Sequence, residues 1–160
     1  MSSKINLATA IAAILIIGAA LTPSASAAPS DEACSLLTSA QVSASVSVSV
    51  GPGQYQGTYK KTCTWNATNA ATTSGAKWVT LMLEELDTYQ AGKQAPVKSI
   101  IITPVSGIGD DAYYLAVGDN VGLIVKKGNA AFKVAVYGQL PLEKKQTMEK
   151  TLAQQIVANL

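Results

Sequence analysis

The chain has 160 residues, 48% of them hydrophobic and 14% charged, with a formal net charge of +2. All of its cationic side chains are lysines and it has no histidine. That excludes Ser-His-Asp and Cys-His nucleophile pairs, histidine metal sites, bidentate arginine clamps and the basic stripe of a nucleic-acid binder.

The first segment reads as an export signal. Lys4 supplies the positive start, Ile5 to Leu21 is apolar apart from Asn6 and Thr9, Pro23 breaks the run, and Ala25-Ser26-Ala27 is a small-x-small cleavage site. The apolar run is a little short of the roughly 20 residues that cross a bilayer comfortably. Cys34 follows Asp31-Glu32-Ala33, which is not a lipid-attachment box. The expectation is residues 1–27 as a signal peptide cleaved after Ala27, then a single domain over 28–160 with no stable membrane anchor. The compartment would be periplasmic or extracellular.

In an oxidising compartment the two cysteines, Cys34 and Cys63, read as a disulfide. The alternative of free thiols or a redox centre would favour a Cys-x-x-Cys spacing, which this pair does not have.

Thr38-Ser39-Ala40-Gln41 has the capping-box pattern that opens a helix. Val42, Ala44, Val46, Val48 and Val50 alternate with small residues, so the helix is expected to give way to a strand near Val46. Gly51-Pro52-Gly53 is a turn. Tyr59 to Trp65 reads as a strand, Asn66 to Ala76 as an exposed loop, and Trp78 to Leu86 as an alternating strand. A short helix should start at Asp87. Val97 to Thr103 is a β-branched strand that Pro104 should close.

Gly107-Ile108-Gly109-Asp110-Asp111-Ala112-Tyr113-Tyr114 is a turn feeding a strand, with paired carboxylates beside paired aromatics. Three strands should follow: Ala112 to Val117, Val121 to Lys127 and Ala130 to Tyr137. Gly118-Asp119-Asn120 and Gly128-Asn129 make the turns between them. In the last helix Met148, Leu152, Ile156 and Leu160 recur every four residues, while Lys144, Lys145, Glu149 and Gln154 are assigned elsewhere on its surface. The predicted fold class is α+β, an antiparallel sheet of about five or six strands with helices packed on one face and a C-terminal amphipathic helix among them.

Three site readings follow from these residues. Asp110 or Asp111 could pair with Glu84 or Glu85 as the two carboxylates of a hydrolase, against a plain role for Asp110 in ordering its turn. Asp110, Asp111, Asp119 and Asn120 offer oxygen ligands without the regular spacing of a calcium loop. Trp78, Tyr113, Tyr114 and Tyr137 are aromatics of the kind enriched at interfaces. Alternation sends Tyr113 and Tyr114 to opposite faces of their strand, so one is expected in the core and one available to a partner.

Ala33-Cys34-Ser35-Leu36-Leu37-Thr38, Cys63-Thr64-Trp65, Gly107 to Tyr113, Lys127-Gly128 with Phe132-Lys133-Val134, and the final helix occur in an order that resembles a family of small exported bacterial proteins and lipoproteins of unknown function, common in actinobacteria. The resemblance implies an α+β domain in the cell envelope with the two cysteines paired. It carries no activity and no catalytic residue. It departs from many such proteins in lacking the lipid-attachment cysteine.

The expected function is a non-enzymatic binding or interaction module of the cell envelope, with Asp110, Asp111, Tyr113, Tyr114 and Trp78 as candidate contacts. No cofactor, metal or nucleic acid is expected, and the partner is an envelope protein or a small ligand. The alternatives are a small-ligand carrier or sensor with a cavity between sheet and helix, and a carboxylate-dependent hydrolase.

Overall fold

The computed structural model describes residues 32–69, 75–94 and 98–160. Residues 1–31, which include the expected signal segment and its expected cleavage site at Ala27, and residues 70–74 and 95–97 lie outside the described residues. Among the described residues no helix is long and apolar enough to cross a membrane.

The first element is a single 3-10 turn, Ala33–Ser35. Helix α1, Ser39–Val46, opens on the capping box read from the sequence. The Thr38 side chain accepts the Gln41 N–H at 3.2 Å, and the Gln41 side chain accepts the Thr38 N–H at 2.8 Å. Val42 and Val46, one turn apart, are its buried residues. Ser47 then takes a left-handed conformation, with φ of 56°, and stops the helix. The strand expected near Val46 does not form, and only an isolated bridge joins Val50 to Ala67. The alternating valines are spent differently: two face the core from the helix and the rest line an irregular segment.

The strands are β1 (Gln54–Gln56), β2 (Thr62–Asn66), β3 (Ala76–Glu84), β4 (Ile100–Val105), β5 (Asp111–Val117), β6 (Asn120–Lys127) and β7 (Ala130–Gly138). They form one antiparallel sheet in the order β1-β2-β3-β7-β6-β5-β4. The sheet therefore has seven strands, not five or six. The added strand is β1, three polar exposed residues that carry no alternation to read. Pro104 lies inside β4 rather than closing it. An edge strand tolerates a residue that cannot donate to the ladder.

Helix α3, Leu142–Ala158, lies on one face of the sheet. That face carries the row Cys63, Leu81, Val134 and Leu123 across β2, β3, β7 and β6. Met148, Leu152 and Ile156 of α3 bury against it, together with Leu36, Val42 and Val46. Burial of a single Leu or Ile side chain stabilises by about 1.5–3 kcal/mol, so this layer is the main core.

Helix α2, Leu86–Lys93, packs on the opposite face, which corrects the expectation that all helices share one side. The reason is topological. The chain leaves β3 in the middle of the sheet and must reach β4 at its far edge, and α2 makes that crossing. Its Tyr89 joins Tyr113, Ile124 and Ala131 in a second, smaller core.

Candidate functional site

The turn ahead of β5 is built by glycines where backbone sterics require them. Gly107 and Gly109 both have positive φ, and a Cβ at Gly109 would run into the Lys126 carbonyl of the neighbouring strand. The Asp110 N–H donates to that same carbonyl at 2.8 Å. Asp110 Oδ2 accepts the Gly128 N–H at 2.7 Å and Oδ1 accepts from Lys127 Nζ at 3.0 Å. The Gly128 amide, with Lys127 beside it, holds the carboxyl below the usual carboxylate range. Asp110 thus clamps the β6–β7 hairpin tip, and both of its oxygens are engaged.

Asp111 points the other way, to α2. It pairs with Lys93, and the Lys93 ammonium, helped by the Tyr89 hydroxyl, lowers its pKa. The adjacent carboxylates are therefore separated by function as well as by face: one fastens a hairpin and the other fastens a helix.

Tyr113 and Tyr114 do point to opposite faces. Both go under a helix, so neither presents its ring to a partner. The Tyr113 hydroxyl donates to the Tyr89 carbonyl of α2 at 3.1 Å, and the Tyr114 hydroxyl donates to the Gln146 carbonyl of α3 at 2.8 Å. Each acts as a peg between sheet and helix.

Trp78 has a different setting. On the face that carries α2, the helix covers the β5–β6 side. It also packs on β7 at Ala131, and the stretch of β3 and β7 around Trp78 and Tyr137 is not part of that core. There Trp78 and Tyr137 sit directly opposite across β3 and β7, with rings stacked at a centroid distance of 5.1 Å. Trp78 is 38% exposed and Met82, four residues along the same strand and on the same face, is 37% exposed. Thr62, Thr64 and Thr80 fill the positions between and beside them by cross-strand pairing. The surface is aromatic, thioether and hydroxyl, and its charges, Lys133 and Glu84, stand toward one end.

Glu84 closes the Trp78, Thr80, Met82 row and also lines a half-open cleft of about 630 Å3 at the end of the sheet. The cleft also takes in Glu85, Asp110, Lys61 and Lys127, over an apolar floor that includes Leu83 and Leu160. Burial pushes the Glu84 pKa up, and nearby Lys133 opposes this. Its carboxyl has no hydrogen-bond or ion-pair partner among the described residues.

Asp110, Glu84 and Glu85 thus meet at one cleft, while Asp111 does not. This cleft lies at the end of the sheet. Among the described residues no cluster of three acidic, histidine or cysteine ligands could hold a metal ion, and Asp110 and Asp111 are committed to lysines.

Residue-type reasoning missed Tyr137 as the ring that stacks on Trp78, although its place in the β7 alternation put it on the face opposite Phe132 and Val134. It also missed the buried polar pair of α3. Lys145 is 5% exposed and Glu149 is fully buried, against the expectation that both lie away from the core.

Comparison with protein-family models, with curated proteins and with solved structures finds no match to this chain.

Proposed function

We propose that this chain is an exported, non-enzymatic binding module of the cell envelope, and that a partner protein docks on the sheet face around Trp78 and Tyr137. The observation that carries the reading is the stacked Trp78–Tyr137 pair, set on a rigid antiparallel sheet next to exposed Met82. Protein-binding surfaces are enriched in Trp, Tyr and Met and poor in charge at their centres, and this patch has that composition. A peptide strand adding to the sheet would use an edge, whereas these side chains stand on a face. The disulfide supports an oxidising compartment.

The test is a photo-crosslinking residue placed at Thr80 and, separately, at the exposed Lys150 of α3, in cells of the native host. Position 80 should give a discrete crosslinked polypeptide that position 150 does not. Trp78→Ser should abolish the product while the protein stays folded, at a cost of about 0.5–1.5 kcal/mol for the lost ring pair in addition to the area that the indole buries. Identical products at both positions, or a product indifferent to Trp78→Ser, would refute the docking surface.

A second reading is favoured by Glu84, a half-buried carboxyl without a partner at the mouth of a cleft. It makes the protein a carrier for a small molecule with an amine or hydroxyl group. Native mass spectrometry of protein recovered from the host envelope should then show added mass that Glu84→Gln removes. Bare protein from wild type would count against a carrier. Hydrolysis is not proposed, because both oxygens of Asp110 are held in the hairpin clamp.

A further inference from the structure

Helix α3 carries two ionisable residues into the dry core, at positions 145 and 149. The Glu149 carboxyl accepts the Val136 N–H through Oε1 at 3.0 Å, and its Oε2 has no partner. That N–H belongs to β7, where a strand hydrogen bond to β6 would otherwise use it. The β6–β7 register ends at the Leu123–Val134 pair, although β6 begins at Asn120 and β7 runs to Gly138. The two strands therefore part at this end, and Glu149 takes up the freed amide.

One helical turn earlier, the Lys145 ammonium donates to the Asp119 carbonyl at 2.8 Å, in the turn between β5 and β6. Lys145 also lines a cleft of about 440 Å3 with Asp119, Gly138, Gln139 and Leu140, at the mouth of the parting. Glu149 holds β7 and Lys145 holds the turn that ends β5 and starts β6. Together they close the gap between the two strands from one helix.

We propose that Glu149 and Lys145 form a protonation-sensitive seam between β6 and β7, closed while Glu149 is neutral and released when it ionises. A neutral carboxyl can leave one oxygen unpaired at modest cost. A buried carboxylate with one oxygen lacking a donor is far more costly, and it is relieved by water or by a cation. Of the lysines on the same helix, the one four residues before Glu149 and buried with it is Lys145, which would have to leave the Asp119 carbonyl to reach it. The other polar or charged groups near Glu149 are few. Tyr114 on β5 has its hydroxyl directed to Gln146 of α3, and Lys133 on β7 lies on the other face of the sheet. Helix α1 brings no charged residue.

Burial raises the Glu149 pKa to about 8, with the Val136 amide and Lys145 opposing the shift. A carboxyl with a raised pKa in the closed state favours closure fully below its ordinary pKa, and loses that preference as pH rises toward the shifted value. Opening should therefore become about tenfold more populated per pH unit between the ordinary carboxylate range and about 8, then level off. Tyr137 follows Val136 in β7, so release at Val136 loosens the backbone next to the Trp78–Tyr137 pair.

The test is amide hydrogen exchange from pH 5 to 9, corrected for the intrinsic base-catalysed rate. Protection of Val136 and Val121 should fall about tenfold per pH unit and then plateau, while Ala131 and Phe132 at the closed end of the hairpin do not follow. In Glu149→Gln, which keeps an oxygen for the Val136 amide and cannot ionise, the pH dependence should vanish. Should that variant not fold, the carboxyl carbon resonance of Glu149 in the wild-type protein decides the matter. A midpoint well above the ordinary range, tracked by the Val136 amide, supports the seam. A midpoint in the ordinary carboxylate range, or flat corrected protection at Val136, overturns it.

Discussion

At the residue scale, the packing of the second core turns on one absent side chain. Gly92 sits in α2, where glycine is ordinarily a defect: replacing it by alanine in a helix stabilises by roughly 0.5–1 kcal/mol. Here a Cβ would overlap the Tyr113 hydroxyl, which is buried and bonded to the Tyr89 carbonyl. Gly92→Ala should therefore destabilise. Tyr113→Phe should cost about 1 kcal/mol for the lost hydrogen bond. Combined, the two should be more stable than the sum of their separate effects, because the phenylalanine removes the atom that the new methyl meets. Thermal or urea unfolding of the four proteins measures the coupling, and a stabilised Gly92→Ala single variant would refute the account. The sequence disclosed the alternation of Tyr113 and Tyr114 but not that both would be covered, since α2 reaches its face only through a long-range crossing. Likewise Asp110 could be read as a turn-ordering residue from its neighbours, whereas its hold on Gly128 joins residues far apart in the chain.

At the element scale, local chemistry was legible where it acts locally. The capping box at Thr38 and the turns expected at Gly118-Asp119-Asn120, of which Asn120 already belongs to β6, and at Gly128-Asn129 sit where side-chain hydrogen bonding and the positive φ of Gly118 and Gly128 require them. The Gly118 and Gly128 turns fix the register of β5, β6 and β7. What failed was inference from residue character where position decided. Lys145 falls three residues before Met148 and Glu149 three before Leu152, hence on the buried stripe of α3. Their charge suggested solvent, but their place on the helix put them inside. The serine-valine alternation after Gln41 was misread for the converse reason. A period of two suits a strand, yet Val42 and Val46 are also one helical turn apart, and the cap had already committed the chain to a helix. Of the candidate site, Trp78 was visible as an aromatic on a strand. Its partner ring Tyr137 depended on β7 inserting between β3 and β6, which no local pattern specifies.

At the scale of the whole molecule, the covalent link ties the first turn to the sheet. Cys34 and Cys63 are bridged, with Cα atoms 5.0 Å apart and a sequence separation of 29. The enclosed segment holds α1, the irregular stretch after it, and β1. Leu36, Leu37, Val42 and Val46 of this segment join the core, Val48 and Val50 pack against it, and β1 is exposed throughout. Cys63 is fully buried beside Trp65, and Gly53 lies so close that a Cβ there would meet both the sulfur and the indole. On reduction the thiol can remain in that site, so the loss should come mainly from freeing the unfolded chain, about 3.5 kcal/mol for a loop of this size. For a domain of this length that is a drop in Tm on the order of 10 °C. The cost should be general and not confined to the first segment, because the Ala33–Ser35 turn, α1 and α3 share one core and unfold with the sheet. Calorimetry with and without reductant, with both free thiols confirmed by mass, gives the measurement. An unchanged Tm for the reduced protein would mean that packing alone positions the segment. A separate early transition would mean that the bridge fastens a piece that melts on its own, leaving the Trp78 face standing on the remaining strands.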